Sequence, residues 1–389
     1  MAGIYIHVPF CASRCIYCAF YTTTTLSSQD RLVQALCSEL AMRRDYLLDK
    51  TSPSSAITID TIYFGGGTPS QLSEQNLQRL FDTLYNKEYN NKEQQVPTFH
   101  ISPNVEVTIE CNPDDITPQF AQAISRLPVN RVSMGVQTFS DERLTFLRRR
   151  HKATDIAPAI ERLRQVGINN ISIDLIFGFP KQTLDEWAVD LQNAIELGVE
   201  HISAYSLMYE EGTPLFRLLQ QQRMSEIDDN LSLNMFNLLV DTLVANNYEH
   251  YEISNFAREG FRSRHNASYW QAIPYLGLGP SAHSYDGNSR QWNVSNLRKY
   301  MDAIENGRLP MEREVLNEDT KYNDWITTAL RTKEGLDLNR LSNAHRQYLL
   351  QAAEHHLRQG HLVLSGNNIA LSRTGIFISD SVMSDLVKV

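Results

Sequence analysis

The sequence predicts an α/β protein built on a parallel sheet, and three observations point there. Short β-branched runs alternate with stretches of helical periodicity six times within about the first 250 residues. Chemically suggestive side chains fall just past, or at the end of, the strand-like runs, where sites in parallel α/β folds lie. The first run, Gly3 to Val8, opens directly into three cysteines, Cys11, Cys15 and Cys18, spaced C-x3-C-x2-C.

Each element has its own signal. After the cysteine loop, Ser28 can cap a helix running to about Asp49, with Leu32, Leu36, Leu40 and Leu47 on one side. A polar loop, TSPSS, ends it. Ile57–Phe64 reads as a strand, followed by GGGTPS and a helix opened by Ser73. Residues 88–103 are polar and irregular and read as a surface insertion. Val105–Glu110 is the third strand, and Thr117-Pro118 supplies an N-cap and first-turn proline for the next helix. RVSMGV, ISIDLIFG and HISAYSL are the remaining strands. Helices are predicted from Ser140, from Thr154, over Thr183–Leu197 and over about Asp228–Asn247. Strands alternating with helices imply right-handed crossovers, but an open doubly wound sheet and an incomplete (β/α) barrel both satisfy the pattern.

Beyond residue 250 the pattern changes. Residues 251–309 carry YEISNFAREGFRSRHNASYW and YLGLGPSAHSY, read as loop-like and extended segments packed on the sheet. Residues 310–389 carry helical patterns over Asp319–Arg331, Leu338–Leu341 and Ala344–Gln359, then a hairpin turning at Gly366-Asn367-Asn368. Three helices and a hairpin suggest a small, mostly helical domain resembling a winged helix. The domains read as 1–250, 251–309 and 310–389.

Composition narrows the function. The chain of 389 residues is 42% apolar and 21% charged, ordinary for a globular protein. Its net charge of −9 argues against general nucleic-acid binding. No apolar run approaches a membrane span, and the first residues lack the features of a signal or transit peptide. A cytoplasmic, reducing location is expected, and it suits free thiolates.

Three thiolates in eight residues can hold three irons of a four-iron cluster and leave the fourth open for chemistry. A zinc knuckle would need a fourth Cys or His at ligand spacing. Cys37, on the apolar side of a helix, and Cys111, after a buried strand, read as structural. The glycines of GGGTPS let backbone approach a ligand, with free N–H groups to grip it, against the alternative of a tight turn. Glu110, Gln137, Arg149 and Asp174 at the strand ends can bind hydroxyls or an amine, against surface ion pairs or loop caps. LRRRH (147–151) by itself reads as a solvated basic face. His265, in HNASYW, suits heme iron by its imidazole and flanking Tyr269 and Trp270, against a satisfied structural histidine. His355-His356 reads as exposed.

The cysteine loop, with Tyr17 just before its third cysteine, resembles that of the radical S-adenosylmethionine (radical SAM) superfamily. More narrowly, IHVPFC, GGGTPS, ECNPDD, SMGVQTF, DLIFGFP and YEISNFA resemble the oxygen-independent coproporphyrinogen III dehydrogenase group over residues 4 to about 285. The resemblance implies an incomplete (β/α)6 barrel. It implies a [4Fe-4S] cluster on Cys11, Cys15 and Cys18. It also implies S-adenosyl-L-methionine at Tyr5, Tyr17, Gly66, Gly67, Thr68, Glu110, Gln137, Arg149 and Asp174.

Two features divide that group. The dehydrogenases carry a fourth cysteine two residues after the third, where this chain has Phe20. The HemW-type heme chaperones lack it and carry H-N-x-x-Y-W, intact here as His265 to Trp270. The expectation is therefore a heme chaperone that binds heme through His265 and passes it to acceptor proteins, with respiratory enzymes the expected acceptors. The alternative is oxidative decarboxylation of porphyrinogen propionates. Heme and heme-accepting proteins are the expected partners, with room for a homodimer and a peripheral membrane contact. One departure is Arg148, where such relatives usually have Gly.

Overall fold

The computed structural model describes residues 1–47, 57–85 and 99–388. Six strands, β1 (Ala2–Val8), β2 (Ile57–Gly66), β3 (Phe99–Cys111), β4 (Arg131–Gln137), β5 (Asn170–Phe177) and β6 (His201–Ser206), lie side by side in chain order, all parallel. A doubly wound sheet reverses its strand order at a switch point, and this one does not. Successive right-handed crossovers without reversal put every helix on one face and curl the sheet away from them. The incomplete barrel is thereby the observed architecture.

The crossover helices are α1 (Gln29–Met42), α2 (Glu74–Leu84), α3 (Pro118–Ser125), α4 (Asp141–Phe146), α5 (Ala153–Gln165) and α6 (Leu184–Glu196). Ser73, Thr117, Ser140 and Thr183 cap their helices by accepting a backbone N–H. Ser28 precedes α1 without such a bond, and α1 ends at Met42 rather than near Asp49. Asp49 itself and TSPSS lie outside the described residues, as does most of the expected insertion; residues 99–103, expected to be irregular, extend β3.

Period-two alternation gives the sheet two unlike faces. Ile4, Ile6, Ile62, Phe64, Val107, Ile109, Val132, Met134, Ile171 and Ile173 join Leu36, Leu77, Ile160 and Trp187 of the helices in one large core. The other face is polar. It presents Tyr5, Thr61, Tyr63, Glu110, Arg131, Ser133, Asp174, His201 and Ser203 toward the lumen.

After β6 come α7 (Pro214–Gln220) and α8 (Asp229–Ala245). The segment expected to be loop-like and extended, packed on the sheet, is extended and joins the sheet itself at both edges. β7 (Glu249–Glu252) and β8 (Asn255–Ala257) join at β6, antiparallel. β9 (Tyr275–Leu278) pairs parallel with β1 and is followed outward by β10 (His283–Tyr285), β11 (Ser289–Asn293) and β12 (Met311–Val315). Between the two sets lies α9 (Arg264–Trp270), a short helix that the Arg/Asn/aromatic composition concealed. α10 (Leu297–Glu305) packs on α1.

The remaining chain forms a separate core around Tyr322, Ile326, Leu349, Leu362, Ile369, Val382 and Leu386, with a three-stranded antiparallel sheet. His356, expected to be exposed, is buried there, bonded to Asp385 and to His361. No helix of the described residues is long and apolar enough to cross a membrane.

Candidate functional site

The loop after β1 is closed by its own backbone. Cys11 N–H donates to Thr23 O (2.9 Å), and Thr23 N–H donates to Pro9 O (2.7 Å). Its far end is pinned by Ile16, whose N–H donates to Leu147 O and whose carbonyl accepts from Leu215 N–H. These ties bring Cys11, Cys15 and Cys18 to one pocket, together with Tyr17, Gly66, Gly67, Thr68, Glu110, Gln137, Arg149 and Asp174. Residues scattered from position 11 to 174 thus meet at the C-terminal ends of the parallel strands.

The charges in this pocket are arranged unequally. The Arg149 guanidinium donates to Asn112 Oδ1 (2.5 Å), to Gly135 O (2.5 Å) and to Cys15 Sγ (3.6 Å), while its Nε is buried with no partner among the described residues. Burial, with the neighbouring Cys18 and Cys15, pushes the Cys11 thiol up to about 11, against a hydrogen bond from Thr68. Burial raises the Cys18 thiol as well, against a hydrogen bond from the Phe20 backbone, and a cation bound among such thiols favours their thiolate forms. Glu110 accepts from Tyr63 OH (2.8 Å) and Gly66 N–H (3.1 Å), yet burial raises its carboxyl to about 7. Burial likewise lifts Asp174 to about 6, opposed by hydrogen bonds from Ser203 and Ser133 and by Arg131 and Arg149. Two carboxyls that titrate near neutrality in a cleft are suited to holding a cationic ligand.

The glycine turn works differently from its expected role. The N–H of Gly66 is taken by Glu110, that of Gly67 by Val8 O and that of Thr68 by Phe10 O. None is free to grip a ligand. The glycines instead let β2 pack against the cysteine loop: a Cβ on Gly67 would lie 2.7 Å from Phe10 O.

LRRRH is a solvated face only at Arg148 and Arg150. Leu147 and His151 are buried, Arg149 is in the pocket, and Arg150 pairs with Asp114 and Asp115. Arg148 holds a φ of 61°, the left-handed conformation glycine adopts freely. Arg148→Gly is therefore expected to stabilise the chain by about 0.5–1 kcal/mol, read from chemical denaturation at fixed pH. Unchanged or lowered stability would contradict a backbone cost at this position.

Three sequence-selected residues lie apart from the rim. Tyr5 is inside the barrel, bonded to His7. Cys37 packs in the helical layer near Thr83. His265 sits on the lumen floor, 1% exposed, near the N-terminal halves of the strands. Its Nδ1 is 2.8 Å from Thr61 Oγ1 and its Nε2 is 2.8 Å from Tyr269 OH. Its ring stacks on Tyr63, and burial lowers its pKa to about 3. Glu106 accepts the backbone N–H groups of Arg264 and His265, which fixes the start of α9.

Sequence reasoning passed over Asn112, Ser133 and Gly135, although all three stand inside runs it had noted, ECNPDD and SMGVQTF. Cys111, read as structural, also lines the pocket, but its thiol is buried and turned toward Ser70 and Asp115. Phe20, where a fourth loop cysteine was weighed, lines the mouth with its ring largely exposed.

Comparison with known proteins agrees with this geometry. Residues 5–194 match the model of the radical SAM superfamily. The chain is 33% identical over 390 residues to the heme chaperone HemW of Mycobacterium tuberculosis, covering 99% of this chain and 94% of that one. It is 34% identical over 352 residues to the heme chaperone HemW of Bacillus subtilis, covering 90% and 88%. Among solved structures, the coproporphyrinogen III oxidase HemN of Escherichia coli, a radical SAM enzyme, superposes with a TM-score of 0.81 at 20% identity, covering 100% of this chain and 90% of that one. At that identity the likeness concerns the fold.

Proposed function

Because the chain belongs to the radical SAM superfamily, in the branch of the HemW heme chaperones, we infer that it binds heme and delivers it to acceptor proteins. The observation that carries this reading is the pairing of an intact HNASYW helix with a cysteine loop that has Phe20 at its fourth position.

Cys11, Cys15 and Cys18 would hold a [4Fe-4S] cluster, and three half-buried thiols lining one pocket fit that group. When bound, such a cluster supplies an open iron position for the amine and carboxylate of S-adenosyl-L-methionine. The chain's own residues do the positioning. Arg149 screens Cys15 while anchored on Asn112 and Gly135. Glu110 and Asp174 hold positive charge, Gln137 and Tyr17 line the wall, and Phe20 narrows the entrance.

His265 is the proposed heme ligand, and its geometry sets a condition. Iron can reach Nε2 only after Tyr269 OH has left it, and because both side chains stand on α9, that requires the Tyr269 side chain to swing away from His265. His265→Ala is expected to change the absorption spectrum of the heme-loaded protein, while Tyr269→Phe, which removes the competing hydroxyl, should speed ligation several-fold. An unchanged spectrum in His265→Ala would remove that assignment.

The function itself is tested on one anaerobically reconstituted preparation, assayed side by side for heme uptake and coproporphyrinogen turnover. Heme uptake and transfer without decarboxylation is the expected result. Robust decarboxylation would overturn the chaperone reading in favour of an enzyme.

A further inference from the structure

A chaperone must display its cargo where an acceptor can take it, and His265 is sealed from both sides. The molecule has a more open place. A groove of about 870 Å³ runs between α4, the turn after β5 and the segment that joins α7 to α8. That volume is within the roughly 300–1,000 Å³ typical of cofactor sites. Phe146, Pro180, Leu219 and Met224 supply its apolar wall, and Arg143, Lys181 and Arg223 supply positive charge, against Glu142 and Glu226.

We propose that this groove is a seat for heme, with the Met224 thioether on the iron and Arg143, Lys181 and Arg223 on the propionates. This rests on the heme-carrying function above and adds a site to it. A thioether is an established axial donor to heme iron. Met224 is the one soft donor among the groove's lining residues. An apolar wall beside cations complements a flat macrocycle that carries two carboxylates. Arg143 lies over the Phe179 ring and is paired with Glu186, so a propionate would compete with that carboxylate for it, whereas Lys181 and Arg223 are exposed.

The groove is also mechanically joined to the cysteine pocket. Met224 and Phe146 pack on a small core of Ile16, Leu147, Ile176, Phe179, Leu207 and Leu215. Ile16 lies between Cys15 and Cys18, and its backbone is bonded to Leu147 and Leu215. Filling the groove and filling the cysteine pocket therefore bear on the same side chains. That gives the cluster a physical route by which to influence how tightly heme is held.

The test titrates hemin, and separately its dimethyl ester, into the full-length chain and reads both affinity and absorption spectrum. Met224→Ala is expected to change the spectrum of bound heme. The double variant Lys181→Glu with Arg223→Glu, both exposed positions, should bind hemin about tenfold or more weakly, as expected for losing charge-assisted contacts. It should bind the ester as the wild type does, because the ester has no carboxylates. Wild-type hemin binding with affinity and spectrum unchanged in both variants overturns the seat while leaving the chaperone function standing. A wild-type chain that takes up no hemin overturns the function itself.

Discussion

Replacing Cys15 by Ala will leave the anaerobically reconstituted protein with almost none of the wild-type iron and sulfide. Three cysteines are the minimum this loop offers for three irons. Cys111 lines the same pocket, but its thiol is buried toward Ser70 and Asp115. The fold should survive, because Cys15 is half-buried and the loop is held by backbone bonds at Cys11, Thr23 and Ile16. The expected stability change of the metal-free protein is within about 1 kcal/mol, as for partly exposed positions generally. Iron and sulfide analysis beside far-ultraviolet circular dichroism separates the two effects. A folded Cys15→Ala protein retaining wild-type iron would refute the assignment of the loop.

The second large effect is on stability against pH. Burial raises the folded-state pKa of Glu110 from 4.5 to about 7, so the folded chain holds a proton that the unfolded chain has lost. Stability from this group is full below pH 4.5 and is lost as pH rises through 7. The loss over that window is about 3 kcal/mol, from the size of the shift. Asp174, raised from 3.8 to about 6, works in the same direction. Buried histidines oppose them: His7 and His151 fall to about 4 and His265 to about 3, and each costs stability as pH drops below 6.5. Comparing the wild type with Glu110→Gln cancels the groups that do not interact with Glu110, the histidines among them. Glutamine imitates the protonated carboxyl, so the variant should gain about 3 kcal/mol on the wild type between pH 4.5 and 8.5. Denaturation of the metal-free proteins across that range checks it. A pH-independent difference would show that Glu110 is ionised throughout.

Much of the pocket was legible because strand ends are local. A run such as VEVTIE announces its own termination, and parallel packing brings all such ends to one rim. Cys11, Gly66, Glu110, Gln137 and Asp174 could therefore be placed together from their positions alone. Arg149 needed more. Beside Arg148 and Arg150 it looks like any basic surface stretch, and only the left-handed turn at Arg148 carries it inward.

The alternation of strands and helices, the cysteine loop and the polar residues that follow each strand can all be read along the chain. These depend on periodicity and spacing along the chain. Periodicity left a barrel and a doubly wound sheet open; the family resemblance implied the barrel, and the observed strand order, a property of pairing between distant segments, bears it out. Only the tertiary structure placed His265 on the lumen floor, with both nitrogens bonded, rather than beside the cysteines. The short α9 has no long-range signal of its own. Its position follows from Thr61, Glu106 and Tyr63, residues more than a hundred positions away that accept its backbone N–H groups, bond its imidazole and cover its ring.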